Sequence, residues 1–187
     1  VSERTYIAIG CSTAPDYSFL APLTALMWKE VVGYSPLIFL TRDSGSWSSG
    51  AASISWRALA ELLIPYHTEG DLSGSGCKIE GYSEGTVAQN IRQHAARCCA
   101  DDDWIMTADA DLWPLQQYFY RQHENSEKRA VAYYSNGDHF QGKKDVLEKF
   151  KLAVPFQSIP TCHVVMRAKD WCEVYQIDEG VSVVEAT

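Results

Sequence analysis

The residues best suited to chemistry are Asp109 and Asp111, one residue apart in Trp104-Ile105-Met106-Thr107-Ala108-Asp109-Ala110-Asp111-Leu112-Trp113-Pro114-Leu115. The apolar run before them reads as a buried strand, and residues two apart on a strand share a face. Where the chain leaves the pleat, both carboxylates can turn toward one cation, and Pro114 stops the strand from continuing. Paired carboxylates suit a hard divalent cation, Mn²⁺ or Mg²⁺, and such a cation neutralises much of the charge of a departing diphosphate. The spacing therefore points to nucleotide-dependent group transfer. The same triplet recurs at Asp101 and Asp103, where it reads as a solvated turn.

Positioning these carboxylates requires a sheet. Residues 4–10 read as a first buried strand, and Gly10-Cys11-Ser12-Thr13 as the turn that ends it, which makes Gly10, Cys11 and Ser12 candidates for cofactor binding. Leu20, Leu23, Leu26, Met27 and Val31 recur at helical spacing over 19–32, closed by Gly33, and 36–41 is a second strand. A strand-helix-strand unit of this kind has a parallel, right-handed crossover, so a mostly parallel sheet is expected. Asp43 follows the second strand at its carboxyl end, where open α/β sheets bind ligands, and can hold a ribose hydroxyl or stand as an ordinary loop acid.

A short helix is predicted over 56–63, a third strand at 66–68, and a long glycine-rich loop over 69–85, read as a mobile rim. Residues 86–99 read as a helix with Val87, Ile91, Ala95 and Cys98 or Cys99 facing inward, leading into the aspartate strand. Further on, helices are predicted over 115–123, 143–152 and 168–174, strands over 130–135 and 161–167, and a loop over 136–140. The fold class is α/β, one Rossmann-like domain spanning 1–187.

With 187 residues, 46% of them hydrophobic, the chain suits one packed domain. A net charge of −8 without any Lys/Arg stripe argues against nucleic-acid binding. No apolar run reaches the ~20 residues of a membrane span. Val1 in place of an initiating Met suggests a domain excised from a longer chain. The six cysteines form no C-x-x-C pair and read as buried free thiols of a cytoplasmic protein, with a bridge from Cys77 to Cys98 or Cys99 as the alternative.

With these elements placed, the chain resembles the GT-A fold of nucleotide-sugar glycosyltransferases, and its pattern is most similar to the glycogenin-like group and small viral or algal relatives. The resemblance rests on the opening strand, turn and helix, the second strand, the helix before the aspartates, and the Asp109-Ala110-Asp111-Leu112-Trp113-Pro114-Leu115 motif. It implies a UDP-sugar donor, a Mn²⁺ or Mg²⁺ cofactor held by Asp109 and Asp111, and a glycan or protein-linked hydroxyl as acceptor of a hexosyl or deoxyhexosyl group. It also implies that Tyr17 stacks on the base and that Arg92 or Gln89 contacts the nucleotide, with Asp109 also reaching a ribose hydroxyl. The family's Asn-Ser-Gly strand departs here to Cys162-His163, where His163 is a candidate metal or phosphate ligand. The family's late histidine has no counterpart up to Thr187.

For an inverting transfer, a carboxylate must take the acceptor proton. Asp138, in the loop after the Tyr133-Tyr134 strand, is the candidate, with Asp178 and Glu179 as rivals and turn chemistry as the plainer role. Trp47, Trp113, Phe140 and Trp171 are candidate sugar platforms or core aromatics. Two other classes remain open. One is a binding module that keeps the fold without turnover. The other is a two-aspartate phosphatase, although that class carries its motif after the first strand and follows it with residues unlike Leu112-Trp113.

Overall fold

A computed structural model of the chain describes residues 3–41, 81–133 and 162–177, with Ile54, Arg57, Ala58 and Glu61. The strand predicted at 66–68, the helix at 143–152 and the loop at 136–140 lie outside the described residues, as does most of the 56–63 helix and of the 69–85 loop. Asp43, Trp47, Cys77, Asp138, Phe140, Asp178 and Glu179 also lie outside them.

The centre of the molecule is strand β1 (Thr5–Cys11), apolar along its length because helices cover both faces of the sheet. Helix α1 (Pro15–Met27) begins on Pro15, whose fixed φ suits a first helical position. It continues as a π-helical turn (Trp28–Val32), which Gly33 ends at a φ of 88°, donating to the carbonyls of Trp28 and Lys29. Strand β2 (Ser35–Leu40) pairs with β1 in parallel. Helix α2 (Glu84–Ile91) starts at Ser83, whose hydroxyl accepts from Thr86 N at 3.2 Å. It tightens into a 3₁₀ segment (Arg92–Cys98), so the single helix predicted over 86–99 is two kinds of helix in succession.

Strand β3 (Trp104–Ala108) is buried at every position and pairs in parallel with the other edge of β1. A short helix α3 (Gln117–Tyr120) and a 3₁₀ turn (Gln122–Asn125) precede strand β4 (Ala130–Ala132). Strand β5 (Val164–Arg167) leads into helix α4 (Ala168–Tyr175). The sheet order is β2-β1-β3-β5-β4. Strand β5 is antiparallel to both β3 and β4, so four strands run one way and β5 runs against them. The parallel character expected from the opening unit therefore holds for β2-β1-β3, while both pairings of β5 are antiparallel. Local periodicity carries side-chain alternation but not strand direction, which is why this reversal was not legible.

Alternation sorts the core into two layers. Ile7, Ile9, Trp104, Met106 and Val165 face α1, with Trp28 filling the space between. Ala8, Ile105 and Met166 face the opposite way, against Ala95, Ala96, Ala168 and Trp171. Trp171 is 2% exposed and its Nε1 donates to Ile105 O at 3.0 Å. It is a core residue and not a sugar platform.

Candidate functional site

Strand β1 has β2 on one side and β3 on the other, so the connections leaving the sheet diverge at the carboxyl ends of β1 and β3. In open α/β sheets that divergence opens a crevice. A cavity of about 160 Å³ lies there. It is lined by Gly10 and Ser12 from the end of β1, Tyr17 from α1, Gly85, Ala88 and Gln89 from α2, Arg92 after it, and Asp109, Ala110 and Asp111 from the end of β3.

Gly10 sets how closely α2 approaches the sheet. A Cβ there would lie 1.7 Å from the backbone oxygen of Ala88, so helix backbone rests directly on strand backbone. The first turn of α2 is fixed as well, since Thr13 donates to Glu84 Oε2 from Oγ1 at 2.7 Å and from N at 3.3 Å. These contacts place Gln89 and Arg92 on the cavity wall.

Asp109 sits against a built partner. Arg92, only 2% exposed, forms an ion pair through Nη1 with Asp109 Oδ1, and Asp109 itself is 32% exposed. Burial pushes the Cys162 thiol pKa up, and the charge of Asp109 adds to the rise. Asp111 is exposed at the cavity lining. The loop that carries it is pinned to α1. Thr24 Oγ1 donates to Ala110 O at 2.5 Å and accepts from Trp113 Nε1 at 2.9 Å, and Trp28 Nε1 donates to Leu112 O at 3.3 Å. Trp113 is thus half-exposed but tethered by its indole nitrogen.

Among the predicted site residues, Gly10, Ser12, Tyr17, Gln89, Arg92, Asp109 and Asp111 come together on this cavity. Cys11 does not join them. Its side chain is fully buried, with the thiol donating to Ser12 O at 3.4 Å and Tyr17 O at 3.6 Å, and burial raises its pKa to about 12. His163 stands beside the site but is enclosed in aromatic packing, its ring 5.4 Å from that of Trp28 and 5.2 Å from that of Tyr120. Burial pushes its pKa down to about 4, with Asp109 pulling it up and Arg92 pushing it further down. The imidazole is therefore neutral at pH 7. Its φ of 58° is a left-handed value that non-glycine residues seldom take, held by His163 N donating to Thr107 O at 2.5 Å and Tyr133 N donating to His163 O at 2.9 Å. Among the described residues no group of three or more His, Cys, Asp or Glu side chains gathers to hold a metal, and His163 packs between Trp28 and Tyr120.

Asp103 is also corrected. It is not solvated but 8% exposed, accepting from Arg4 N and Ala100 N at 3.1 Å each. The cysteines described, Cys11, Cys98, Cys99, Cys162 and Cys172, are free thiols. Among the described residues no helix is long and apolar enough to cross a membrane.

Thr24, Trp28, Thr13 and Glu84 were missed as contributors to the site. Thr24 left a signal, a polar residue on the inward face of an apolar helix, because such a hydroxyl needs a buried partner. The others left none, since their partners are 71 or more residues away.

The two carboxylates fit a hard cation that completes its shell with water and phosphate oxygens, as Mg²⁺ commonly does. No family model, curated protein or solved structure matches the chain.

Proposed function

We propose that the chain is a metal-dependent glycosyltransferase domain that moves a sugar from a nucleotide-diphosphate sugar, a UDP-sugar in the first instance, to a hydroxyl acceptor. The observation that carries this reading is the meeting of Asp109, Asp111 and Arg92 on one cavity at the carboxyl ends of β1 and β3. Such a site combines oxygen ligands for a cation with a fixed positive charge for phosphate.

Asp109 and Asp111 are the residues that would hold Mn²⁺ or Mg²⁺, which when bound supplies Lewis-acid stabilisation of the departing diphosphate. Arg92 contributes charge already desolvated and oriented, so little reorganisation is needed as negative charge develops. Tyr17, 46% exposed at the rim, offers a ring face for the base, and Gln89 an amide for its polar edge. The aspartate loop, tied to Thr24 and Trp28, keeps the carboxylates in register with the cavity. Asp138 is the proposed base for the acceptor hydroxyl.

The phosphatase alternative needs Asp109 as nucleophile. Its ion pair with Arg92 disfavours that role, because a carboxylate so engaged is a poorer attacking group.

Calorimetric titration with UDP and GDP, each with and without Mn²⁺, tests the reading. Metal-dependent binding of one nucleotide, lost in Asp111→Ala, is expected; slow hydrolysis of a matching sugar donor then separates an enzyme from a silent binder. Folded protein that binds neither nucleotide with the metal present would sink the proposal.

A further inference from the structure

Away from the crevice, a second cavity of about 540 Å³ lies at α3 and the 3₁₀ turn after it, lined by Gln117, Tyr118, Arg121, Gln122, Glu124 and Asn125. That volume falls within the ~300–1,000 Å³ of small-molecule sites. It shares no lining residue with the crevice. The frame beneath it is fixed by a residue that faces inward. His123 is fully buried against the rings of Trp104 and Tyr34, at centroid distances of 5.0 and 6.0 Å, and its main-chain N donates to Tyr133 Oη at 2.7 Å. Tyr34 Oη donates to Tyr120 O at 2.8 Å, and Gln117 Nε2 to Val32 O at 3.5 Å. The exposed side chains on either side of His123 are thus carried by an ordered backbone, which leaves less ordering to be lost on binding.

The lining selects by hydrogen bonding and not by charge. Arg121 Nε donates to both carboxylate oxygens of Glu124, at 2.9 and 3.0 Å, so the two charges cancel. The pair engages Nε, which leaves the Nη amino groups as donors and further carboxylate lone pairs as acceptors. Gln117, Gln122 and Asn125 add carboxamides, which donate from nitrogen and accept at oxygen. Tyr118, 82% exposed, adds a ring face and a hydroxyl. Such a surface can meet neighbouring hydroxyls of a sugar with paired donors and acceptors, and the C–H face of a pyranose with an aromatic ring. A phosphate finds no uncompensated cation among these residues, and a peptide finds neither an apolar groove nor a strand edge to extend.

We propose that this cavity is a binding site for a neutral oligosaccharide, stacked on Tyr118 and hydrogen-bonded by the carboxamides and the Arg121–Glu124 pair. The site stands apart from the glycosyltransferase reading, because nothing in it depends on a nucleotide, a metal or turnover at the crevice.

The test is calorimetry with cellotetraose, maltotetraose, chitotetraose, mannotetraose and the acidic tetragalacturonate, in metal-free buffer, on wild type, Tyr118→Ala, Gln122→Ala and Asp111→Ala. At least one neutral tetrasaccharide should bind wild type with a dissociation constant below about 1 mM. Tyr118→Ala should weaken that binding about tenfold and Gln122→Ala about threefold, while Asp111→Ala leaves it unchanged. Both cavity positions are exposed, so their variants should keep the wild-type unfolding midpoint. Absence of binding by all four neutral tetrasaccharides would overturn the proposal, as would affinity indifferent to both cavity substitutions. Loss of binding in Asp111→Ala would move the sugar to the crevice, and tighter binding of tetragalacturonate than of every neutral probe would make the site an anion site; either result also overturns it. Nucleotide and metal binding at the crevice is read in a separate titration, so each reading can fall without the other.

Discussion

Asp101, Asp102 and Asp103 precede β3, while Asp109 and Asp111 follow it, about 20 Å further along the strand at ~3.3 Å per residue. At the amino end the acids serve the backbone. Asp103 accepts from two main-chain N–H groups, and the carbonyls of Asp103 and Asp101 receive Ala168 N and Lys169 N at the start of α4. Asp102 lies outside this network and pairs with Lys169 Nζ at 2.8 Å. At the carboxyl end the acids face a guanidinium and a cavity. The same three-residue pattern therefore does opposite work at the two ends of one strand, and which end it occupies decides. A strand's beginning is crowded by the elements that enter the sheet, whereas at the divergence of β1 and β3 its end opens onto a crevice.

Several substitutions would break or sharpen that contrast. The largest effect is expected from Gly10→Ala, which drives a methyl group into the Ala88 carbonyl and lifts α2 from the sheet. A loss of more than about 3 kcal/mol in denaturant unfolding is expected; a near-normal midpoint would mean that α2 yields easily and that the cavity wall is not rigid.

Acid should weaken the carboxyl end next. His163 is held neutral in the fold, with its pKa displaced from 6.5 to about 4, while the unfolded chain takes up the proton near 6.5. Its contribution to stability is fully present above pH 6.5 and is lost as pH falls toward 4, by at most about 3 kcal/mol. His163→Asn, which tolerates the left-handed backbone, should flatten the fall in stability over that window. An unchanged slope would assign the acid sensitivity elsewhere, His94 and His123 having pKa values lowered by burial in the same sense.

The contrast itself is tested by the pair Asp103→Ala and Asp111→Ala. The first strips two N–H groups of a buried acceptor and should cost about 2 kcal/mol while leaving nucleotide binding intact. The second should change stability by less than about 0.5 kcal/mol and abolish metal-dependent nucleotide binding. If both variants behaved alike in either measurement, the division of labour along β3 would be wrong. Smallest of all is Asp102→Ala, which loses only an exposed pair with Lys169 and should leave the unfolding midpoint where it was.

The elements that bring the site together were legible because each rests on local pattern. The run into Asp109 announces a buried strand, Gly33 a helix end, and the period of Val87, Ile91 and Ala95 the inward face of α2 and of the 3₁₀ segment after it. What escaped depends on partners distant in sequence. Nothing near Asp103 reveals that Arg4 N will arrive, and nothing near His163 foretells that Trp28 and Tyr120 will close over it. The shift from α to 3₁₀ at Arg92 belongs to the same class, since helical periodicity does not encode it.

The seat of α2 on Gly10 has a consequence for how such a site can vary. Where two main chains touch there is no side chain to trim, and that wall cannot be enlarged by any substitution at Gly10. Adaptation to a bulkier or smaller guest must fall to the side chains around that seat, Gln89 on the same wall and Tyr17 and Asp111 where they reach into solvent. The backbone seat is thus the fixed part of the crevice, and the side chains around it the adjustable part.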